Sequence, residues 1–547
     1  MPTAAFLWIT LLFANLYCGA TTATFERRFE KGEPLSAQLY ATSSAIREAG
    51  EASAEEIRAF ESRLADACAD VDALSTVGGD ANARGRAASV CTIAAKLNIV
   101  VVAPNSPGYD SEKDIHWSLT SRLLAACFIR PQSTLDVAAV IKIAAYTKSK
   151  FAVRSGGHNP NAGFASVDET GVLIDLQDMN ALSVDEDAIL KAGPGNRWGK
   201  IYEFLDAKGL GAQGGRNGDV GVAGYLLGGG MSFFPNLYGL GVDTVVNFKV
   251  VLGNATVVNA NATSNPDLFV ALKGGANNFG IITEFQIQAH TAHQMWYSLE
   301  AYAAADYKAV LNATIYAQTE MEKDPKVGLF VNINPGALVI GKFYAEFSDK
   351  PAAFAAFDVV APIATPVPAT NGTMHGLVTA ISPPGYTPAN REPIAVSHGV
   401  DLDLYMAIHE QYLLVSASTT STVSLSYTIQ PFGTAGVQAG HARGGNNLGL
   451  EAVSQTWHAS LVEWTSPEDN TTAHDLVTAL GASVEALARQ RNSFYPYRFM
   501  NDASYVQDPL QSYGLANAEK MRAVSSAYDG GRVFQILQNS GFLLAHL

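Results

Sequence analysis

Charge is scarce in this sequence, and what there is leans acidic. Only 16% of the 547 residues are Asp, Glu, Lys or Arg, and the formal balance is -15. Nucleic-acid phosphates are bound by clustered Lys and Arg. No such run occurs, so the expected partner is a small molecule and not a nucleic acid. Cysteine numbers four, without C-x-x-C spacing, the histidines are scattered and H-E-x-x-H is missing, so no metal constellation is expected. The G-x-S-x-G elbow of serine hydrolases is also missing. The apolar run that opens the chain, Ala4 to Tyr17, is too short to span a membrane.

That run is followed by Cys18, Gly19 and Ala20, small residues that suit signal-peptidase cleavage. Residues 1–23 are therefore expected to be a signal peptide, and the mature chain to be secreted or held in the secretory-pathway lumen. A buried N-terminal helix is the other reading, because no basic residue precedes the run. Acceptor sequons at Asn254, Asn261, Asn312, Asn371 and Asn470 fit a glycosylated, secreted chain. After cleavage Cys68, Cys91 and Cys127 remain, and an oxidising compartment pairs two of them. Cys68 and Cys91 lie in a polar helical stretch and form the expected disulfide. Cys127, in the apolar string Leu123 to Ile129, reads as a buried free thiol.

Hydrophobic residues make up 48% of the chain, enough for a large core shared between two lobes. Residues 24–121 form an N-terminal region that is Ala-rich and helical over 35–97. Ser133 and Asp136 make a capping box ahead of an apolar face at Val137, Val140, Ile141, Ala144 and Ala145, and a strand Phe151 to Arg154 follows. A helix capped by Asn196 runs through Trp198, Ile201, Tyr202 and Leu205 and stops at Gly209. Strands are expected at Gly171 to Leu176, at Ala188 to Ala192, and on both sides of the Gly253-Asn254 turn between Val245 and Asn259. Residues 122–295 thus read as a glycine-rich α+β unit closing on a strand Ile281 to Ile287. Residues 296–485 mix helices with strands such as Val423 to Ile429 and Ala459 to Trp464, giving an antiparallel sheet. Their Pro-rich stretch, Pro362 to Pro393, is expected to be a long surface loop. The tail, 486–547, is aromatic, polar and structured.

Glycine marks the chemistry. Val153-Arg154-Ser155-Gly156-Gly157-His158 is a strand running into a Gly-Gly turn, where bare backbone can bring N–H groups against a pyrophosphate. Alone, such a turn is a weak motif that reads more readily as the setting of a structural histidine. Further on come Gly214-Gly215-Arg216-Asn217-Gly218-Asp219-Val220-Gly221-Val222-Ala223-Gly224 and Gly228-Gly229-Gly230. A dinucleotide βαβ unit would need a crossover helix between Gly224 and an acid such as Asp243, and none fits. No Lys-Ser or Lys-Thr follows, which excludes a P-loop. A glycine-rich packing corner is the structural alternative.

Arg154 to His158, Val220 to Gly230, Asn265-Pro266-Asp267-Leu268-Phe269 and Gly274-Gly275-Ala276-Asn277-Asn278-Phe279-Gly280 together resemble the vanillyl-alcohol oxidase superfamily. More narrowly, they resemble a berberine-bridge-enzyme-like FAD-linked oxidase of fungal type. The likeness covers residues 120–295 and, more loosely, Tyr497 to Gly514 and Val533-Phe534-Gln535. It implies an α+β fold in which both chain ends build the FAD-binding domain around an inserted α+β substrate domain. It also implies FAD bonded covalently through His158, with Arg154, Ser155, Gly156 and Gly157 along the pyrophosphate. Further cofactor contacts implied are Gly214, Gly215, Gly218, Asp219, Val220, Gly221, Gly224 and Ile282.

The chain departs from the family in two places. Where many relatives carry a cysteine that makes a second bond to the flavin, this chain has Asn217, so a single histidyl link is expected and a sugar oxidase is disfavoured. Where relatives show Tyr-x-Asn near the flavin, it has Phe499-Met500-Asn501; Asn501 can hold the ring, but Phe499 cannot take a proton. A relative's catalytic glutamate has no match near Val437. Hydride removal from an alcohol or amine needs a general base, and the candidates are Tyr427, Gln430, His441 and Tyr497. Val220, where relatives gate oxygen, suits an oxidase. The expected activity is therefore oxidation of a small metabolite, in a natural-product pathway, with oxygen as acceptor. A carbohydrate oxidase and a non-catalytic flavin-binding protein are the alternatives.

Overall fold

A computed structural model describes residues 33–291, 294–382, 385 and 387–547, apart from the side chains of 77–80. The expected signal peptide lies outside the described residues. Three helices, Leu35–Glu48, Ala54–Asp80 and Ala83–Lys96, form the N-terminal region. They pack against the helix Thr134–Thr147, burying Leu39, Phe60, Leu64, Val90 and Ile93 against Val137, Val140 and Ile141. The cap of that helix is the expected one: the Ser133 side chain accepts from Asp136 N–H at 3.1 Å. The reciprocal bond reaches one residue further back, from Gln132 N–H to the Asp136 carboxylate.

Two sheets follow. A four-stranded sheet runs in the order Val100–Val102, Phe128–Arg130, Gly171–Asp175, Lys150–Arg154, with the last three strands parallel. A five-stranded antiparallel sheet orders Leu182–Val184, Ile189–Ala192, Ile281–Gln288, Val245–Val251 and Val257–Asn261. The chain end returns to the first of these sheets: Gln538 bridges Phe151 in parallel, and Asn539 N–H donates to Phe151 O at 2.7 Å. The C-terminal segment therefore joins the glycine-rich part. The third sheet, eight-stranded, takes its strands from 294–495. Its central strands Val423–Phe432 and Gln455–Trp464 carry one face packed under the helices Tyr307–Met321, Leu402–Ser416 and Asn470–Gln490. The molecule is an α+β fold.

Several sequence expectations need correction. The disulfide joins Cys91 to Cys127, with Cα atoms 6.1 Å apart. It is not the expected Cys68–Cys91 bridge, and Cys127 is no free thiol; Cys68 is also disulfide-bonded. Cys127 precedes the strand Phe128–Arg130, and an apolar environment hides a disulfide as readily as a thiol. Asn196 is not the helix cap. The helix Trp198–Asp206 is preceded by Arg197, and the Asn196 amide turns back to donate to Gly193 O and Ala181 O. The Pro-rich stretch is not one loop: it holds the strand Ala364–Thr373, the helix Met374–Ile381 and the start of the strand Asn390–Gly399. Pro366 and Pro368 are accommodated because their strand lies at the sheet edge, where a missing N–H breaks no ladder.

Candidate functional site

The two glycine motifs meet backbone to backbone. A Cβ at Gly156 would stand 2.5 Å from Gly221 Cα, and one at Gly221 would stand 2.6 Å from Gly156 Cα. Only glycine fits at either position. Gly157 follows with φ +71°, in the left-handed region. Among the described residues, no acceptor is found for the N–H groups of Gly156 and Gly157, although both are buried and line a cavity of about 410 Å³. Buried N–H groups left over at a bare turn form an anion nest. A Cβ at Gly224, also on the cavity wall, would meet nothing within 4 Å.

The same cavity is lined by Ser155, His158, Gly215, Val220, Gly221, Ile282, Gln430 and Asn501. Ser155 Oγ donates to Pro194 O at 2.5 Å, which anchors the turn. The His158 imidazole stacks on Trp117, centroids 4.4 Å apart and 12° from coplanar. Burial, helped by the positive Arg197 and Arg391, pulls its pKa down to about 3, so the ring is neutral at ordinary pH. A neutral imidazole carries one unprotonated ring nitrogen.

Other sequence candidates lie elsewhere. Arg154 is fully buried behind the turn, paired with Asp175 and, at 2.9 Å, with Glu112. Gly214 makes room for the Trp198 indole, and Gly218 packs against Gly199 and Val378 while its N–H donates to Ser382 Oγ. Asp219 offers its carbonyl to Arg197. Tyr427 and Gln430 share a strand but not a face. An odd spacing puts them on opposite sides, so Gln430 reaches the cavity while Tyr427 is buried under helices, stacked on His458 and bonded to His409. Tyr497 is buried between Trp457 and Tyr513, and His441 is exposed on the helix Thr434–Ala442; neither lines the cavity. Asn501 lines it with both ends of its amide engaged: Nδ2 donates to Gly224 O at 3.0 Å and Oδ1 accepts from Gly230 N–H at 3.1 Å.

Asp502 and Arg216 were not singled out from the sequence. Both line the cavity, joined through Gln430: Arg216 donates to Gln430 Oε1, and Gln430 Nε2 donates to Asp502 Oδ2 at 2.6 Å. Burial raises the Asp502 pKa and lowers that of Arg216. A carboxylate held with a raised pKa in a cleft suits proton abstraction. Its neighbour Asn501 in the tail motif was the only signal for it.

Residues 125–261 match the family model of an FAD binding domain. The FAD-dependent monooxygenase macF of Penicillium terrestre is 36% identical, over 80% of this chain and 85% of that protein. Among solved structures, BBE-like 1 of Physcomitrella patens superposes with a TM-score of 0.70 at 17% identity, over 83% of this chain and 99% of that one. The glucooligosaccharide oxidase of Acremonium strictum, which carries 6-S-cysteinyl, 8α-N1-histidyl FAD, gives 0.68 at 19%, over 83% and 99%.

Proposed function

Since the chain belongs to the FAD-binding oxidoreductases, we propose that it oxidises a small organic metabolite by hydride transfer to FAD held covalently through His158, with dioxygen taking the electrons. The observation that carries this reading is the cavity in which the Gly156–Gly157 nest, the neutral His158 ring and the Asp502 carboxylate face one space. Bound FAD supplies a two-electron acceptor there. Gly156 and Gly157 N–H groups hold the pyrophosphate, and His158 is the single attachment point, with Asn217 in place of a second. Asn501 keeps the Gly224–Gly230 segment in place. Asp502, oriented by Gln430, takes the proton of the substrate hydroxyl or amine as its hydride leaves.

The same reading makes 122–295 with 486–547 the FAD-binding domain and 296–485 the substrate domain. It places the chain in the secretory pathway, glycosylated at its sequons. In support, Asn254, Asn312, Asn371 and Asn470 are exposed; Asn261 is half-buried with its amide donating to Asn247. A second reading, oxygen insertion into substrate, is favoured by the name of the Penicillium relative. Hydrogen peroxide formed in step with product supports the oxidase, and oxygen-18 in the product supports insertion.

The attachment is tested by acid precipitation. Wild-type protein is expected to keep its yellow flavin in the pellet, and His158→Ala to release it. Release from wild type rejects the covalent link.

A further inference from the structure

The segment 117–121 splints two parts of the molecule. Toward the loop that carries His158, Trp117 N–H donates to Gly157 O at 3.0 Å, Thr120 Oγ1 to Pro160 O at 2.9 Å and Ser121 Oγ to Asn159 O at 3.1 Å. Toward the eight-stranded sheet, Leu119 N–H donates to Ala389 O at 3.0 Å, and Arg391 N–H donates to Ser118 Oγ at 2.9 Å. The Arg391 guanidinium, from the strand Asn390–Gly399, also donates to Trp117 O and lies 4.5 Å from the centre of the Trp117 ring. It is itself fixed, 5% exposed, by Glu463 Oε1 at 2.7 Å and Thr387 O at 2.9 Å. One indole therefore touches an imidazole from the glycine-rich part and a cation from the other sheet.

An imidazole turns easily about its last torsion, whose wells are broad. A flat neighbour at stacking distance removes that freedom, and a cation against the same indole holds the neighbour. We propose that Trp117 is a positioning residue for flavin attachment: it sets the plane of the His158 ring, and because Arg391 sets Trp117, covalent loading of FAD waits on docking of the eight-stranded sheet. This rests on His158 being the attachment point. Attachment forms a C–N bond between the imidazole and the flavin 8α carbon and breaks one C–H and one N–H bond. The two protons and two electrons released reduce dioxygen to hydrogen peroxide. Trp117 takes no part in that exchange; it holds the nitrogen in line.

The test follows acid-stable flavin in the full chain at intervals after induction, with non-covalent flavin read from the supernatant. Misplacing a reacting atom by about 1 Å costs about a hundredfold in rate, so Trp117→Leu and Arg391→Met are expected to gain acid-stable flavin about a hundredfold more slowly while still binding FAD. Trp117→Phe, which keeps a flat face, is expected to load at close to the wild-type rate. Equal loading in Trp117→Leu, Arg391→Met and wild type overturns the role of Trp117 and leaves the His158 link standing. Should Trp117→Leu be insoluble, Arg391→Met, which keeps the alkyl stem, decides alone. Wild-type protein that releases all its flavin overturns the link itself and this inference with it.

Discussion

Asp502 shows how a site residue hides in a sequence. Its partner Gln430 is 72 positions away, and Arg216 is hydrogen-bonded to the far end of that glutamine. Periodicity and spacing carry no trace of such a meeting. His158 was legible because its neighbours are glycines whose reason is local: a Cβ at Gly156 overlaps Gly221. Tyr427 was a candidate that the strand's alternation removes: three positions from Gln430, it faces the other side. If Asp502 is the base, Asp502→Asn should slow anaerobic bleaching of the flavin by about a hundredfold or more in whichever alcohol or amine bleaches wild type. The flavin content should be unchanged, and a variant that bleaches at the wild-type rate returns the role to another group. Gly156→Ala is expected to destabilise the fold by about 1–3 kcal/mol, the cost of an extra methyl group in a packed site. Flavin per chain and the melting temperature should fall together.

Elements were easier to read than their edges. The helix Thr134–Thr147 announced itself through its cap and apolar face, and the hairpin Val245–Val251 with Val257–Asn261 through Gly253-Asn254. The strand Ala364–Thr373 did not, because proline marks a loop unless the strand is known to be outermost. The disulfide was equally out of reach from local context. Cys91 sits on the helix Ala83–Lys96 and Cys127 just before a sheet strand, and only the packing of helix on sheet brings them together. The bridge closes a separation of 36 residues. By chain entropy it stabilises the fold by roughly 4 kcal/mol. A Cys91→Ala, Cys127→Ala double variant should lose about that much in denaturant unfolding, while keeping its flavin; an unchanged midpoint would show that the helices dock without it.

At the scale of the whole molecule, buried histidines weaken the fold in acid. Burial lowers the pKa of His116 to about 3 and those of His398 and His409 to about 4, and that of His458 falls well below the ordinary histidine value of 6.5. Each is neutral in the fold and takes up a proton when unfolded below that value. Their contribution is thus complete above pH 6.5 and is lost as the pH falls toward the folded values, by about 1.4 kcal/mol per unit per group. The urea midpoint should drop steeply from pH 6.5 to about 4, and His398→Phe should flatten that drop.

The margins of the eight-stranded sheet have a further consequence. One outer strand, Ala364–Thr373, carries Pro366 and Pro368, and the other, Phe494–Tyr495, is two residues long. Neither offers the unbroken row of donors and acceptors that an incoming polypeptide would need to add itself as a further strand. Copies of this chain crowded together can therefore meet at this sheet through side chains, but neither of its margins serves as a backbone template for a ninth strand.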